Sequence, residues 1–197
     1  MAEKKNGQSC NVFTRFGLFA RNFIKHPTQL GSVIPSSRFL VNDLMLQVDW
    51  ERARVVVEYG PGVGTITQHI LKRMRQDAVL VAIELNRDFV EFLQREVSDP
   101  RLIVLCGSAS NARTLLASVG ISHADYVISG IPFSTLPHRL RREVCHETRE
   151  VLSPTGTCLV YQFTTIALPY LKSHFRFVQE GFQPWNILPA WLFYCTP

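Results

Sequence analysis

Residues 55–64 read VVVEYGPGVG, and this stretch decides the fold of the chain. A β-branched run, typical of a buried strand, continues through Glu58 and breaks into Gly60, Gly62 and Gly64. Glycines at this spacing let the backbone turn tightly after a strand and approach a bound molecule without interference from Cβ atoms. The residues that follow predict a helix whose first N–H groups point at a polar or anionic ligand. A strand, a Gly-rich loop and a helix in this order open a nucleotide-binding βα unit.

A second acidic residue lies about 20 residues further on, at the distance expected for a ribose-binding carboxylate. Residues 78–83 form an apolar run that predicts a buried strand, and the run ends in Glu84. A carboxylate there can accept hydrogen bonds from both ribose hydroxyls, whereas Lys cannot accept any. An ordinary acid at the start of a helix is the alternative, and the spacing from the glycine loop favours the ribose site.

Strand and helix patterns alternate along most of the chain, which predicts a parallel sheet wound by helices on both faces. Ser37 is expected to cap a helix from about Arg38 to Val48. The tail differs, because residues 175–178 and 192–195 predict strands with no full helix between them, as in an antiparallel hairpin that closes the sheet. The predicted strands are 54–59, 78–84, 102–106, 124–129 and 156–163, and the predicted helices are 64–76, 87–97, 110–119 and 137–151.

Composition predicts a globular domain in a reducing compartment. The chain has 197 residues, enough for a full core, and its 46% hydrophobic and 19% charged residues exclude disorder. Its five cysteines are widely spaced without a C-x-x-C pair, so we expect no disulfide framework and no metal site. Cys106, Cys158 and Cys195 fall in apolar runs and are expected to be buried thiols.

The net charge of +5 resides in the N-terminal segment. Residues 1–40 carry six Lys or Arg and one acid, whereas residues 41–197 carry fifteen charges of each sign. This segment also has helical periodicity, with phenylalanines on one side and basic residues on the other. The apolar side carries Phe16, Phe19 and Phe23, and the basic side carries Arg15, Arg21 and Lys25.

A basic, Phe-rich amphipathic helix is typical of a segment that lies in the headgroup layer of an anionic membrane. The alternative is a helix that packs its aromatic side against the core of the chain's own domain. RNA phosphates are a third partner for the positive charge, although the phenylalanines favour lipid. The sequence leaves these interpretations open.

Two further loops follow predicted strands and should line the same crevice, because carboxyl ends of parallel strands meet at one end of a sheet. Residues 106–109 read CGSA after the third strand, and residues 129–133 read SGIPF after the fourth.

The glycine loop with Glu58 resembles motif I, E-x-G-x-G-x-G, of the class I S-adenosylmethionine-dependent methyltransferases. Over most of its length the chain is similar to the bacterial phospholipid N-methyltransferase family, which methylates phosphatidylethanolamine stepwise toward phosphatidylcholine. Ornithine-lipid N-methyltransferases are similar too, and the sequence does not separate the two. The likeness rests on residues 31–37 (GSVIPSS), 57–64 (VEYGPGVG), 129–133 (SGIPF) and 186–190 (NILPA), of which the first and last are the more specific.

The resemblance implies a Rossmann-like α/β fold with a seven-stranded, mostly parallel sheet, an antiparallel last strand and an extra N-terminal amphipathic helix. It implies an N-terminal membrane-binding helix and cap over residues 1–50 and an S-adenosylmethionine-binding domain over residues 51–197. The expected partners are an anionic membrane surface and a lipid amine, and the expected location is cytoplasmic, at the inner face of the cell membrane.

The resemblance also implies the roles of individual residues, with S-adenosylmethionine as cofactor and S-adenosylhomocysteine as product. Phe133, Tyr161 and Phe163 are candidates to offer aromatic faces to the methylated ammonium, and packing in the core is the alternative for each of them. The catalytic candidates are Ser129, Gly130, Ile131 and Tyr161, and the cofactor-binding candidates are Ser36, Ser37, Glu58, Gly60, Gly62, Gly64, Glu84, Leu85, Ser108, Ala109 and Ser129.

The related ribosomal RNA adenine dimethyltransferases provide the alternative function, RNA adenine-N6 methylation. They share motif I, but carry Asn-Leu/Ile-Pro-Tyr where this chain has Ser129 to Phe133. The missing Asn and Tyr, which hold and stack the base in those enzymes, argue against a nucleic-acid substrate. Ser108 also departs from the Gly-Asp-Ala common after the third strand, so its contact to adenine is less well supported.

Overall fold

The computed structural model describes residues 37–186 and 188–197, which form one mixed sheet with helices on both faces. The predicted N-terminal amphipathic helix, with its Phe and basic residues, and Ser36 lie outside these described residues. The strands are β1 (Val55–Tyr59), β2 (Val79–Glu84), β3 (Leu102–Cys106), β4 (Ala124–Ser129), β5 (Leu152–Gln162), β6 (Phe177–Gln183) and β7 (Ala190–Thr196).

The sheet has the strand order β3-β2-β1-β4-β5-β7-β6. Strands β1 to β5 pair in parallel, while β7 lies antiparallel between β5 and β6. This arrangement confirms the predicted fold class, including the closing antiparallel hairpin. The chain order reverses between β1 and β4, which creates the crevice where ligands bind in such sheets.

Helices cover both faces because apolar residues alternate along the central strands. Val56 belongs to an apolar cluster with Leu44 and Ile70, and its neighbour Val57 belongs to the opposite cluster with Leu116 and Val144. The helices are α1 (Arg38–Leu46), α2 (Thr65–Arg73), α3 (Arg87–Glu96), α4 (Ala112–Ala117), α5 (His138–Val151) and α6 (Leu168–His174). Helices α1 and α2 contribute to the first cluster, and α4, α5 and α6 to the second.

Polar side chains start two of these helices. Ser37 caps α1 as predicted, because its Oγ accepts a hydrogen bond from the Leu40 N–H at 3.3 Å. Asn86 caps α3 by accepting from the Asp88 N–H at 2.9 Å. Both caps lie at the carboxyl end of the sheet, the end at which strands β1 to β5 terminate.

The glycine loop needs its glycines for backbone conformation. Gly60, Gly62 and Gly64 have φ values of +70°, +56° and +76°, a left-handed region that other L-residues rarely adopt. The Gly60 N–H donates to the Ile83 carbonyl at 3.0 Å, and Gly64 is the N-cap of α2. The loop thus turns over the end of β1 and leads directly into the helix.

Three local predictions were wrong. Strand β5 begins at Leu152, which pairs with Ala124 before a register shift, although Pro154 and Gly156 suggested a later start. Helix α6 was missed; its Pro169 lies in the first turn, where proline fits a helix. Cys106 is exposed because it ends β3, whereas Cys158 and Cys195 are buried as predicted.

No helix within residues 37–186 or 188–197 combines the length and the apolar character that crossing a bilayer requires.

Gly64→Ala is expected to destabilise the fold more than Gly120→Ala. Both glycines have left-handed φ values, +76° and +77°, so each substitution costs about 1–2 kcal/mol in backbone strain. A Cβ at Gly64 would also lie 2.6 Å from Leu93 Cδ2, whereas at Gly120 it would meet nothing within 4 Å. Urea unfolding of the two variants measures the difference, and equal losses would contradict close packing of α3 on the glycine loop.

Candidate active site

A cavity lies at the carboxyl ends of the parallel strands, where the loops that follow β1 to β4 meet. Its polar lining comes from Glu84, Asn86 and Ser108, and the glycine loop reaches it at Gly60. Its apolar lining comes from Leu85, Ile131, Leu136, Leu140 and Val144. An acid beside apolar walls suits a nucleoside, whose ribose is polar and whose base is flat and largely apolar.

Two backbone N–H groups hold the Glu84 carboxylate at the end of β2. The Gly62 N–H donates to Glu84 Oε2 at 3.1 Å, and the Asn86 N–H donates to Oε1 at 2.9 Å. Burial raises the pKa of Glu84, and these hydrogen bonds partly offset the increase. Each carboxylate oxygen accepts more than one hydrogen bond, so both keep capacity for the hydroxyls of a ligand.

Glu58 lies beneath the glycine loop and does not line the cavity. Its Oε2 accepts a hydrogen bond of 2.6 Å from the Thr67 hydroxyl on α2. Burial raises the pKa of Glu58 to about 7; the negative charge of Glu84 adds to this increase, and the Thr67 hydrogen bond opposes it. Glu58 therefore joins β1 to α2. The sequence carries no signal that would have identified Thr67 as its partner.

The loop after β4 is held by Gln162, a residue that the sequence analysis missed. Gln162 Nε2 donates to the Ile131 and Tyr161 carbonyls, both at 2.7 Å, and Gln162 Oε1 accepts from the Phe133 N–H at 2.9 Å. The side chain is buried, and it forms the backbone hydrogen bonds that a neighbouring strand would otherwise form with the loop. A glutamine that ends an apolar strand opposite a candidate loop is a usable signal, since buried amides need partners.

The Tyr161 hydroxyl packs directly against Gly130. A Cβ atom at Gly130 would collide with it, so only glycine fits this position. Tyr161 does not line the cavity around Glu84, and its ring packs against the cluster that includes α1 and α2. The hydroxyl thus reaches the loop from the sheet face opposite to α5.

Phe133 is not available as an aromatic face, which corrects the prediction made for it. Its side chain is only 1% exposed and packs in the apolar cluster beneath α4, α5 and α6. Phe133 begins a short 3-10 turn with its N–H bonded to Gln162, and its ring gains the contacts of the apolar cluster instead of facing the cavity. Phe163 packs as a partly buried residue against the opposite cluster.

The structure brings most of the sequence-predicted cofactor residues together. Ser129 is buried behind the loop, and its Oγ has no hydrogen-bond partner among the described residues. Ser37 lies apart from the cavity, where its Oγ caps α1 and its N–H donates to Asn186 Oδ1 at 2.8 Å. The predicted residues that line the cavity are Gly60, Glu84, Leu85, Ser108, Ala109, Gly130 and Ile131, while Glu58, Gly62 and Gly64 support it from outside the lining.

Glu58→Gln is expected to stabilise the protein more at pH 8 than at pH 5. A carboxyl whose pKa rises from 4.5 to about 7 on folding favours the protonated form, so stability is lost as pH increases through this range. The full cost of ionisation above pH 7 is about 3 kcal/mol, and the neutral amide avoids it. Urea unfolding at both pH values measures the effect, and a pH-independent difference between variant and wild type would contradict it.

The fold resembles solved methyltransferases. A S-adenosylmethionine-dependent methyltransferase from Aquifex aeolicus superposes with a TM-score of 0.64 at 11% identity, covering 91% of this chain and 97% of that one. At this identity the likeness shows the fold alone.

Sequence comparison gives closer relatives. Residues 24–118 match the family model described as ribosomal RNA adenine dimethylase. Ribosomal RNA small subunit methyltransferase A of Laribacter hongkongensis is 34% identical over 71 residues, which cover 36% of this chain and 26% of that protein. The ornithine lipid N-methyltransferase of Singulisphaera acidiphila is 35% identical over 184 residues, which cover 91% of this chain and 95% of that protein.

The full-length match and the fold agree with the strand, loop and acid arrangement of the cavity. The chain belongs to the class I S-adenosylmethionine-dependent methyltransferases, in the same family as the Singulisphaera enzyme and related to the ribosomal RNA adenine dimethylases.

Proposed function

We propose that the protein is a S-adenosylmethionine-dependent N-methyltransferase whose acceptor is the amine headgroup of a membrane lipid. The extent of the similarity carries this proposal. The match to the ornithine lipid enzyme covers 91% of the chain and therefore includes the loop after β4, whereas the match to the adenine dimethylase model ends at residue 118. The region aligned with a lipid enzyme thus includes the loop that we expect to face the acceptor.

The cavity fits S-adenosylmethionine, which supplies a methyl group activated by its sulfonium. Glu84 is held with both oxygens able to accept ribose hydroxyls, and Leu85 and Ile131 provide apolar contact for the adenine. Gly60 lines the cavity without a side chain; a Cβ there would project to 3.6 Å from Ile131 Cγ1. In this proposal Glu58 supports the glycine loop from beneath, and Ser108 lines the part of the cavity that receives the adenine.

The loop after β4 orients the acceptor nitrogen in this proposal. The Ile131 carbonyl already accepts from Gln162, so the carbonyls of Ser129 and Gly130 are better placed to receive the N–H groups of the amine. The Tyr161 hydroxyl lies against Gly130 and supplies a polar contact to this loop, while its ring packs against the cluster with α1 and α2. The apolar lining around Ile131 favours the neutral amine, because desolvation lowers the pKa of an ammonium.

The headgroup is either that of an ornithine lipid or phosphatidylethanolamine. Both present a primary amine on a flexible chain at the membrane surface. The full-length relative favours the ornithine lipid, and the resemblance to the phospholipid N-methyltransferases keeps phosphatidylethanolamine as the second candidate. We propose that residues 1–50 hold the enzyme at the inner face of the cell membrane through the N-terminal amphipathic helix.

RNA adenine-N6 methylation is the competing function, and the buried Phe133 argues against it. A base must be stacked by an exposed aromatic ring at the acceptor loop, and Phe133 is directed into the core. Ser129 is likewise buried, so its short side chain cannot reach a base edge.

The purified protein is expected to transfer radiolabelled methyl groups to lipid and not to RNA. Ornithine lipid and phosphatidylethanolamine dispersed in detergent are assayed beside total RNA, and mass spectrometry identifies the methylated headgroup. Glu84→Gln should weaken S-adenosylmethionine binding roughly tenfold or more, since hydrogen bonds to a charged acceptor are worth about 1.5–3 kcal/mol. Transfer to RNA alone would overturn the proposed function.

Gln162→Met is expected to reduce methyl transfer at least tenfold. The substitution removes two hydrogen bonds to the acceptor loop and one to the Tyr161 carbonyl, and a displacement of about 1 Å at a reacting group can cost a hundredfold in rate. Gln183→Met is the matched control, because Gln183 is also buried at a strand end but bonds Asp43 and the Trp185 N–H.

Both glutamine variants should lose stability in urea unfolding, and only the first should lose turnover with detergent-dispersed lipid at saturating cofactor. Equal turnover in the two variants would show that Gln162 is needed for folding alone.

A further inference from the structure

We propose that the described part of the chain has its own membrane-docking surface, which surrounds the mouth of the cavity and binds anionic lipid bilayers. This inference rests on the proposed lipid substrate and adds a second contact to that of the N-terminal helix. We call this surface the rim, and it consists of an apolar part, Leu85, Ile166, Phe182, Trp185 and Leu188, and a basic part, Arg139, Arg141 and Arg142.

Large apolar side chains are exposed mainly at the carboxyl end of the sheet. Leu85 follows β2, and Ile166 lies in the short 3-10 turn after β5. Phe182 pairs with Trp191, which pairs with Gln162 at the end of β5, so the turn between β6 and β7 lies at the same end. Six of the eight exposed large apolar residues in the described ranges are found there: Phe39, Leu85, Ile166, Phe182, Trp185 and Leu188.

Two apolar side chains of the rim are largely exposed to solvent. Trp185 is 72% exposed and Leu85 is 66% exposed, in loops that have no partner side chain to cover them within the described residues. The two remaining exposed apolar residues, Leu46 and Phe177, lie at the amino end of the sheet, at the end of α1 and the start of β6. The apolar exposure is therefore concentrated on the side that bears the cavity.

The basic part lies in the first turns of α5, next to the acceptor loop. Residues 138–142 read HRLRR and contain no acid. Cations at a helix N-terminus oppose the helix dipole, so helix stability does not explain this cluster. Arg141 bonds only neutral oxygens, the Ser134 carbonyl and the Tyr170 hydroxyl, both at 3.3 Å.

Within the described chain, no carboxylate pairs with Arg141 or Arg142, whereas Arg139 pairs with Glu143 at 2.6 Å. Arg141 and Arg142 also line an open groove between α5 and α6, together with His138, Tyr170, Ser173 and His174. Two arginines without acidic partners, beside a groove rich in hydrogen-bond donors, suit the phosphates of anionic lipids.

A bilayer fits this combination better than RNA does. Arginines beside Ile166, at the same end of the sheet as the solvent-exposed Trp185, match the boundary between phosphate groups and acyl chains. RNA would leave the apolar part of the rim in water. The N-terminal segment also joins the domain here, because the Ser37 N–H donates to Asn186 in the turn between β6 and β7. The rim, Ser37 and the cavity mouth thus lie at one end of the described chain.

Vesicle binding by the full chain tests the rim. The basic-rim variant is Arg139→Gln with Arg142→Gln, and the apolar-rim variant is Ile166→Ser, Trp185→Ser and Leu188→Ser. Their matched controls lie at the amino end of the sheet: Lys72→Gln with Arg73→Gln, and Leu46→Ser with Phe177→Ser. Vesicles contain phosphatidylcholine with or without phosphatidylglycerol, and binding is measured by flotation.

The basic-rim variant should bind phosphatidylglycerol vesicles roughly tenfold more weakly, given about 1 kcal/mol for each basic residue near an anionic surface. The apolar-rim variant should also lose affinity, and both controls should bind as wild type does. Phe16→Ser, Phe19→Ser and Phe23→Ser together should leave residual binding that the basic-rim changes remove. Equal losses of vesicle binding in rim and control variants would contradict membrane binding by the rim. So would the complete loss of binding after the three Phe substitutions alone.

Methyl transfer to detergent-dispersed lipid separates this inference from the proposed function. Rim variants should keep that activity and lose activity on vesicles. A protein that binds vesicles through the rim but methylates only RNA would overturn the proposed function and leave the rim intact. Rim variants that bind vesicles normally but lose RNA binding would show that this surface binds RNA and not a membrane.

Discussion

The hydrogen bond from the Gly62 N–H to the Glu84 carboxylate connects the parts on which the cavity depends. It joins the glycine loop after β1 to the end of β2, beside the crevice between β1 and β4 where the strand order reverses. The bond forms only because the three loop glycines adopt left-handed conformations that carry the backbone over the end of the strand. The hydrogen bond between Glu58 and Thr67 then holds the start of α2 beneath the same loop. A few residues therefore determine the shape of the cavity wall that the glycine loop and Glu84 form.

The sequence predicted the regular framework because this information is local. The β-branched run of β1, the glycine spacing and the acid that ends β2 each determine backbone geometry within a few residues. The same holds for Ser37, whose hydroxyl can only be satisfied by the first turn of α1.

What the sequence did not predict depends on contacts between distant residues. Gln162 is bonded to a loop about thirty residues away; a glutamine at the end of an apolar strand indicates that a partner exists, but its sequence neighbours do not identify the two groups that it bonds. Phe133 appears in a motif that suggests an exposed aromatic ring, but the packing of three helices decides where the ring points. Strand β5 was predicted too short because Pro154 and Gly156 are tolerated at its irregular, register-shifted beginning.

The inward orientation of Phe133 means that acceptor choice is encoded in backbone path as well as in side-chain chemistry. Replacing Ser129 and Phe133 by the Asn and Tyr of the RNA-modifying relatives would place a hydroxyl and an amide in a closed apolar interior. The loop would have to leave Gln162 before those groups could meet a base. Exchanging one form of this loop for the other would therefore need coordinated changes at the end of β4 and at the end of β5, where Gln162 lies.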